Sequence, residues 1–289
     1  MRIQSDQSRL NELPTTPVVF AAADNAYFKE FGTEFVYSFS KMGHDVHVHI
    51  INPDEECKDL TRALKRACHT KVTFSHEVTD MEQYRKHEDR LDSPVKAYYS
   101  CVRWLKLPEI LESAGEVMVL DIDCMARKPF VFPYNEDLGF FPRFEEDQQT
   151  RKVLAGIFYI TKEKMELANR IKNRILSYPM QWYIDQFSLY EELKDETEYF
   201  RFDYDFCDSN CTNKKRWLED YAPIWTGKGN IKYSHPEYVE LSKYWKAEFQ
   251  FSYETEHDVP LKHVTKKTVL HAQVHPNQII HTLPEGDKE

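Results

Sequence analysis

Apolar and polar residues fall in blocks whose period changes along the chain. Pro17-Val18-Val19-Phe20-Ala21-Ala22-Ala23 is a short unbroken apolar run, the pattern of a buried strand, and Asp24 after it is placed to cap a helix. From 25 to 42 apolar side chains recur at Phe28, Phe31, Phe35, Phe39 and Met42, close to helical spacing, and Gly43 supplies a stop. Asp45-Val46-His47-Val48-His49-Ile50-Ile51 alternates as a strand does and meets the breaker Asn52-Pro53. Strand, helix and strand in that order predict a right-handed crossover between parallel strands. The rhythm continues with a helix over 55–67, a strand over 71–75 and a polar, exposed excursion over 76–93. A helix then runs from Pro94 towards Gly115, kinked or broken around Pro108, and Glu116-Val117-Met118-Val119-Leu120 is a buried strand ending at Asp121. Further strands are expected at 137–142, 153–160, 198–206, 222–226 and 268–273, and helices at 161–177, 181–194 and 236–247. No repeat, low-complexity tract or linker interrupts the series. The predicted class is α/β: one Rossmann-like domain over 14–276, with a mostly parallel central sheet flanked by helices and a less regular C-terminal half. A flexible leader (1–13) precedes it and a tail (277–289) follows.

Composition narrows the function. The 289 residues suit one large domain or two small ones, and 38 basic against 48 acidic side chains argue against a nucleic-acid partner. Hydrophobic residues make up 41% and the mean hydropathy is negative, but no apolar run reaches the length of a membrane span. The start of the chain, MRIQSDQSRLNELPTTP, has no apolar signal core, and the six cysteines form no CxxC pair. Reduced thiols in a cytoplasmic enzyme are therefore expected. Cys207 and Cys211 lack the second pair a structural zinc would need, and the sequon Asn210-Cys211-Thr212 matters only in a secretory compartment. None of the eight glycines builds GxGxxG or GxxxxGK[ST], so dinucleotide-binding and P-loop readings lose their support.

The informative stretch is Val117-Met118-Val119-Leu120-Asp121-Ile122-Asp123. Ligands bind at the carboxyl ends of strands in open α/β sheets, and an apolar strand delivers both carboxylates there. On an extended chain, acids two apart point the same way and can share a divalent ion, which would also relieve their repulsion. The bland alternative is one helix cap and one solvated aspartate. A haloacid-dehalogenase-like phosphatase also uses Asp-x-Asp after an apolar strand, but on its first strand, whereas here it is about the fourth, and Met125 stands where that family has threonine or valine.

Taken together, the opening PVVFAAAD strand, the strand-helix-strand unit, an arginine-bearing helix and the Asp-x-Asp strand resemble, over about 17–276, the GT-A nucleotide-sugar glycosyltransferases. The similarity is greatest to family-eight-like members related to glycogenin and bacterial galactosyltransferases. The resemblance implies a GT-A fold and the transfer of a sugar from a nucleotide-diphosphate donor, a UDP-sugar being favoured, to a glycan or other hydroxyl acceptor, with retention of configuration. It implies Mn²⁺ or Mg²⁺ on the donor diphosphate, bound at Asp121-Ile122-Asp123, with His271 in Thr268-Val269-Leu270-His271 as third metal ligand. It also implies nucleoside contacts along Ala21, Ala22, Ala23 and Asp24, although Asp24 reads equally well as a helix cap. Arg103 would contact the donor, on a helix whose Val95, Tyr98, Val102 and Leu105 pack on the sheet while Lys96, Tyr99 and Arg103 face away. Gly156, in Leu154-Ala155-Gly156, would lie beside the sugar, or mark a bulge. Asp185 and Gln186 would sit at the donor sugar and reaction centre, with a cap of helix 186–193 as the alternative for Asp185. Lys228, between two glycines in Ile224-Trp225-Thr226-Gly227-Lys228-Gly229, could bring a cation to the diphosphate or be an exposed turn lysine. A second acidic pair, Asp203-Tyr204-Asp205, alternates with Phe202 and Phe206 as on a half-buried structural strand, with Asp208 beside it. A sugar nucleotidyltransferase, which would need a Gly-rich basic N-terminal loop, and a non-catalytic nucleotide-binding scaffold are the other readings.

Overall fold

A computed structural model describes residues 11–82, 94–208, 222–227 and 229–257. Its first half winds a sheet. β1 (Val18–Asp24), β2 (Val46–Ile51) and β3 (Val72–Glu77) run parallel, linked by α1 (Asn25–Lys41) and α2 (Glu55–Ala67). The chain then crosses through α3 (Pro94–Ala114) to β4 (Glu116–Leu120), parallel to β1 on its other side. β7 (Val153–Thr161) runs antiparallel to β4, β6 (Leu138–Pro142) antiparallel to β7, and β8 (Phe200–Arg201) parallel to β6. The order is β3-β2-β1-β4-β7-β6-β8, which makes the sheet mostly parallel, as expected. A small second sheet, β5 (Cys124–Ala126), β10 (Ile224–Thr226) and β9 (Cys207–Asp208), begins directly after β4. Helices α4 (Met165–Leu176), α5 (Ile184–Leu193), α6 (Ile231–Ser234) and α7 (Pro236–His257) complete the described chain. Among the described residues no helix is long and apolar enough to cross a membrane.

The local chemistry explains these elements. Asp24 caps α1 by accepting the Tyr27 N–H at 2.9 Å, and Asp54 caps α2 through Cys57 N–H at 2.8 Å. Glu55 and Glu56 open α2 while Lys65 and Arg66 close it, matching its dipole. The opening run is apolar throughout because β1 is covered on both faces. Val19, Ala21 and Ala23 pack with Phe28, Phe31 and Phe35 of α1, whereas Val18 and Phe20 pack with Trp104, Leu107 and Leu111 of α3.

Several expectations need correction. The helix from Pro94 runs unbroken through Pro108, because Leu107, Ile110 and Leu111 are buried on either side of the proline and hold both halves to the sheet. The strand expected at 198–206 shrinks to Phe200–Arg201. Asp203 turns its own carboxylate back onto Asp205 N–H at 2.9 Å, a local bond that competes with the ladder, so the second acidic pair sits in a turn. Helix α7 runs ten residues past its expected end at 247, since Phe249 and Tyr253 continue its buried face, Phe249 edge-on to Tyr37 at 5.7 Å. The strand expected at 268–273 lies outside the described residues.

On the face of β2 opposite α1, a polar ladder is buried. His47 contacts Thr73 Oγ1 at 2.8 Å and Ser75 Oγ at 2.9 Å, His49 shares Ser75 at 2.9 Å, and Glu77, 3.5 Å from His49, takes Lys106 Nζ at 3.1 Å and the Tyr98 hydroxyl. Burial first, then the nearby His49 and Lys65, push His47 down to about 3. Folded His47 thus stays neutral where an unfolded histidine, near 6.5, takes up a proton. Stability is insensitive to this group above pH 6.5, falls as the pH drops below it, and levels off only near pH 3, for a total on the order of 5 kcal/mol. Denaturant midpoints between pH 7 and 5 should decline in the wild type and decline less steeply in His47→Asn; parallel profiles would refute the assignment.

Candidate functional site

Because β1 and β4 are parallel neighbours, with Val19 opposite Met118, their carboxyl ends emerge at one edge of the sheet. Asp121 is the first residue past β4, its N–H tied to Gly156 O on β7 at 3.3 Å. The next three residues form a turn closed by Cys124 N–H to Asp121 O at 3.0 Å, and β5 starts there. This corrects the expectation of an extended Asp-x-Asp. The chain must pass from the large sheet to the small one, Ile122 is buried in the core at that bend, and the two carboxylates are held by separate sets of partners.

Asp121 belongs to Arg103. The guanidinium reaches Asp121 Oδ1 through Nη1 at 2.5 Å and Asp185 Oδ2 through Nη2 at 3.5 Å, joining α3, the end of β4 and α5. Arg103 is 7% exposed and so does not lie on a solvated helix face, while Lys96 is exposed. Burial opposes its charge, and Asp121 and Asp185 more than compensate, leaving its pKa raised. Asp185 is not the cap of α5. That position is Tyr183, in the left-handed region at φ 70°, and Asp185 lies buried in the first turn, with Gln186 half-buried beside it.

Asp123, 5% exposed, is held from the other side. Its Oδ2 accepts the Tyr27 hydroxyl at 2.9 Å and Lys232 Nζ at 2.8 Å, and its Oδ1 accepts the Thr226 hydroxyl at 3.2 Å. Its backbone carbonyl takes the Tyr238 hydroxyl at 2.6 Å and Gly227 N–H at 3.4 Å. Burial, and then the Asp123 charge, raise the pKa of both tyrosines, which keeps them protonated as donors. The Lys232 ammonium also bonds the Tyr27 hydroxyl and lies 4.6 and 5.1 Å from the Tyr27 and Phe31 ring centres. Only glycine fits at 227, since a Cβ there would come 2.4 Å from that of Lys232.

Of the residues read from the sequence, the structure gathers Arg103, Asp121, Asp123, Asp185 and Gly156 around the end of β4. Ala21, Ala22 and Ala23 are buried in β1, with side chains packed into the core, and Asp24 serves as the cap of α1. Lys228 and His271 lie outside the described residues. Tyr27, Thr226, Lys232 and Tyr238 were not anticipated. The one available signal was the second lysine of Thr226-Gly227-Lys228-Gly229-Asn230-Ile231-Lys232, four residues beyond the first.

No protein-family model and no curated protein matches the sequence. Solved structures do match. The bifunctional glycosyltransferase WbbM in its apo form superposes on 83% of this chain and 52% of its own length, with 12% identity and a TM-score of 0.54. The galactosyltransferase LgtC, in complex with donor and acceptor sugar analogs, covers 80% of this chain and 99% of its own, with 14% identity and a TM-score of 0.50. Glycosyltransferase GlyE of Streptococcus pneumoniae TIGR4 covers 86% of this chain and 66% of its own, with 14% identity and a TM-score of 0.52. The chain has the GT-A glycosyltransferase fold. It spans about half of WbbM and about two thirds of GlyE, and within the GT-A fold Asp121 and Asp123 stand at the carboxyl end of a central strand.

The donor chemistry suits a hard divalent cation. Two carboxylates and the Thr226 hydroxyl offer oxygen ligands, although among the described residues no three His, Cys, Asp or Glu side chains gather to enclose an ion. Such a set is open, and oxygens from a bound ligand would have to complete it.

Proposed function

We propose that this chain transfers a sugar from a nucleoside-diphosphate donor, a UDP-sugar by preference, to the hydroxyl of a glycan or similar acceptor, with retention of configuration. One observation carries the reading: two carboxylates at the end of β4 are each faced by a cation from a different element, Arg103 from α3 and Lys232 from α6. The arrangement suits a compact, multiply charged group such as a diphosphate. Mn²⁺ or Mg²⁺ would be held by Asp121 and Asp123, with His271 as third ligand, and would act as a Lewis acid toward the departing nucleoside diphosphate. Arg103 is already charged and oriented, so it meets negative charge with little reorganisation. Asp185, held by Arg103, and Gln186 next to it would orient the hydroxyls of the donor sugar. The end of β1, with Asp24, would border the nucleoside, and Lys228 would add a further cation.

The test is a melting-temperature screen with UDP, GDP, CDP and ADP, with and without Mn²⁺, followed by product analysis with the matching nucleotide-sugars. A ligand that binds only the folded state raises the melting temperature, by about 2.7 kcal/mol of stability at a hundredfold excess over Kd. The expected result is one preferred diphosphate, and sugar transfer from its sugar conjugate. No shift with any of the four, alongside hydrolysis of a phosphate ester, would replace this reading with the phosphatase.

A further inference from the structure

We infer that Lys232 closes Asp123 to a divalent cation until a nucleoside diphosphate draws its ammonium away, so that cation and nucleotide bind cooperatively. The inference rests on the donor-site reading and adds an order of events to it. Both oxygens of Asp123 already accept bonds: Thr226 donates to Oδ1, and Tyr27 and Lys232 share Oδ2. The Asp123 side chain is 8% exposed and that of Lys232 is 10% exposed, so the pair is screened little by solvent and the ammonium would repel a second cation placed on the same oxygen.

The two cations of the site differ in how they are tethered. Arg103 is pinned by two carboxylates through a planar fork and has nowhere to go. Lys232 has one carboxylate, on a flexible stem, and its other neighbours are the Tyr27 hydroxyl and the rings of Tyr27, Phe31 and Tyr233, within 5.8 Å of the ammonium. Those rings line the space around the ammonium, and phosphate oxygens offer charge-assisted bonds equivalent to the one it would leave. A diphosphate is therefore the ligand that can exchange for Asp123 on the ammonium and free the carboxylate. By linkage, whatever the nucleotide does for the cation the cation does for the nucleotide.

The experiment counts free Mn²⁺ by electron paramagnetic resonance in titrations of the chelator-treated full chain, with and without UDP, GDP, CDP or ADP. Wild type is compared with Lys232→Met, which keeps the stem packed on the rings, and with Lys232→Arg, which keeps a cation; melting curves establish that each is folded. The wild type should bind Mn²⁺ weakly by itself and more tightly with the preferred diphosphate, within the range of about 5- to 150-fold usual for coupled sites. Lys232→Met should bind Mn²⁺ alone at least about tenfold more tightly than wild type, with the tightening by nucleotide reduced by the same factor, and Lys232→Arg should resemble wild type. Equal Mn²⁺ affinity in wild type and Lys232→Met, with nucleotide binding intact, would overturn the gate and leave the donor site standing. No binding of Mn²⁺ or of any diphosphate to any of the three would remove the donor site, and the gate with it.

Discussion

Asp123→Ala is expected to abolish donor binding and to cost the fold about 3–5 kcal/mol, the usual penalty for breaking one side of a buried ion pair. The cost is large because the carboxylate satisfies three groups at once. Without it the Lys232 ammonium is left in a nearly closed pocket, and the Tyr27 and Thr226 hydroxyls each lose an acceptor. Asp123→Asn separates charge from shape. It retains an oxygen for the hydroxyls but not the charge, so it should regain part of the stability and none of the donor binding. Urea unfolding together with calorimetric titration of the preferred diphosphate reads both quantities. Stability within about 0.5 kcal/mol of wild type for Asp123→Ala would show that the buried pair does not hold the fold.

The second large effect is expected at Arg103. Arg103→Met removes the cation that bridges Asp121 and Asp185, two buried or half-buried carboxylates on different elements. The loss should again be about 3–5 kcal/mol, with sugar transfer reduced at least about 100-fold, since a preorganised charge at the reacting group is removed. Arg103→Lys is the more discriminating variant. A single ammonium cannot reproduce the planar fork that reaches both acids, so it should recover stability better than turnover. Full turnover in Arg103→Lys would mean that charge alone matters and that the bridge to Asp185 does not.

The first half of the fold was legible because each element there is specified locally. Asp24 and Asp54 cap their helices, Gly43 ends one, and unbroken apolar strands mark a sheet covered on both faces. Legibility falls where side chains compete with the backbone or where packing decides a boundary. Asp203 replaces a strand by a turn, and α7 is lengthened by contacts with α1 far away in sequence. The same division runs through the site. Asp121, Asp123, Arg103 and Asp185 stand in motifs that a sequence displays. Lys232 and Tyr238 matter only through tertiary contact, and Tyr27 looks like one more aromatic on a helix rich in them. Helical periodicity puts Arg103 on the polar side of its helix but leaves its burial open, because it separates polar from apolar positions and cannot see a polar residue buried by partners of opposite charge.

The groups that grip Asp123 reach it from far along the chain, with separations of 96, 103, 109 and 115 residues for Tyr27, Thr226, Lys232 and Tyr238. Each contact closes a loop of roughly a hundred residues, and the entropy of that closure must be met before the contact gives anything back. In the order of folding, this site therefore comes late, together with the pairing of β4 to β1, which closes a loop of similar size between Val18 and Val117. Strands β1, β2 and β3 can pair and α1 can dock while Asp123 still lacks its ammonium, and the site is completed only when the segment after β9 returns to lie against β5. Protection of the amides in the Asp121–Cys124 turn would then report, in a refolding chain, the moment at which Tyr27 from one side and Thr226 and Lys232 from the other have reached Asp123.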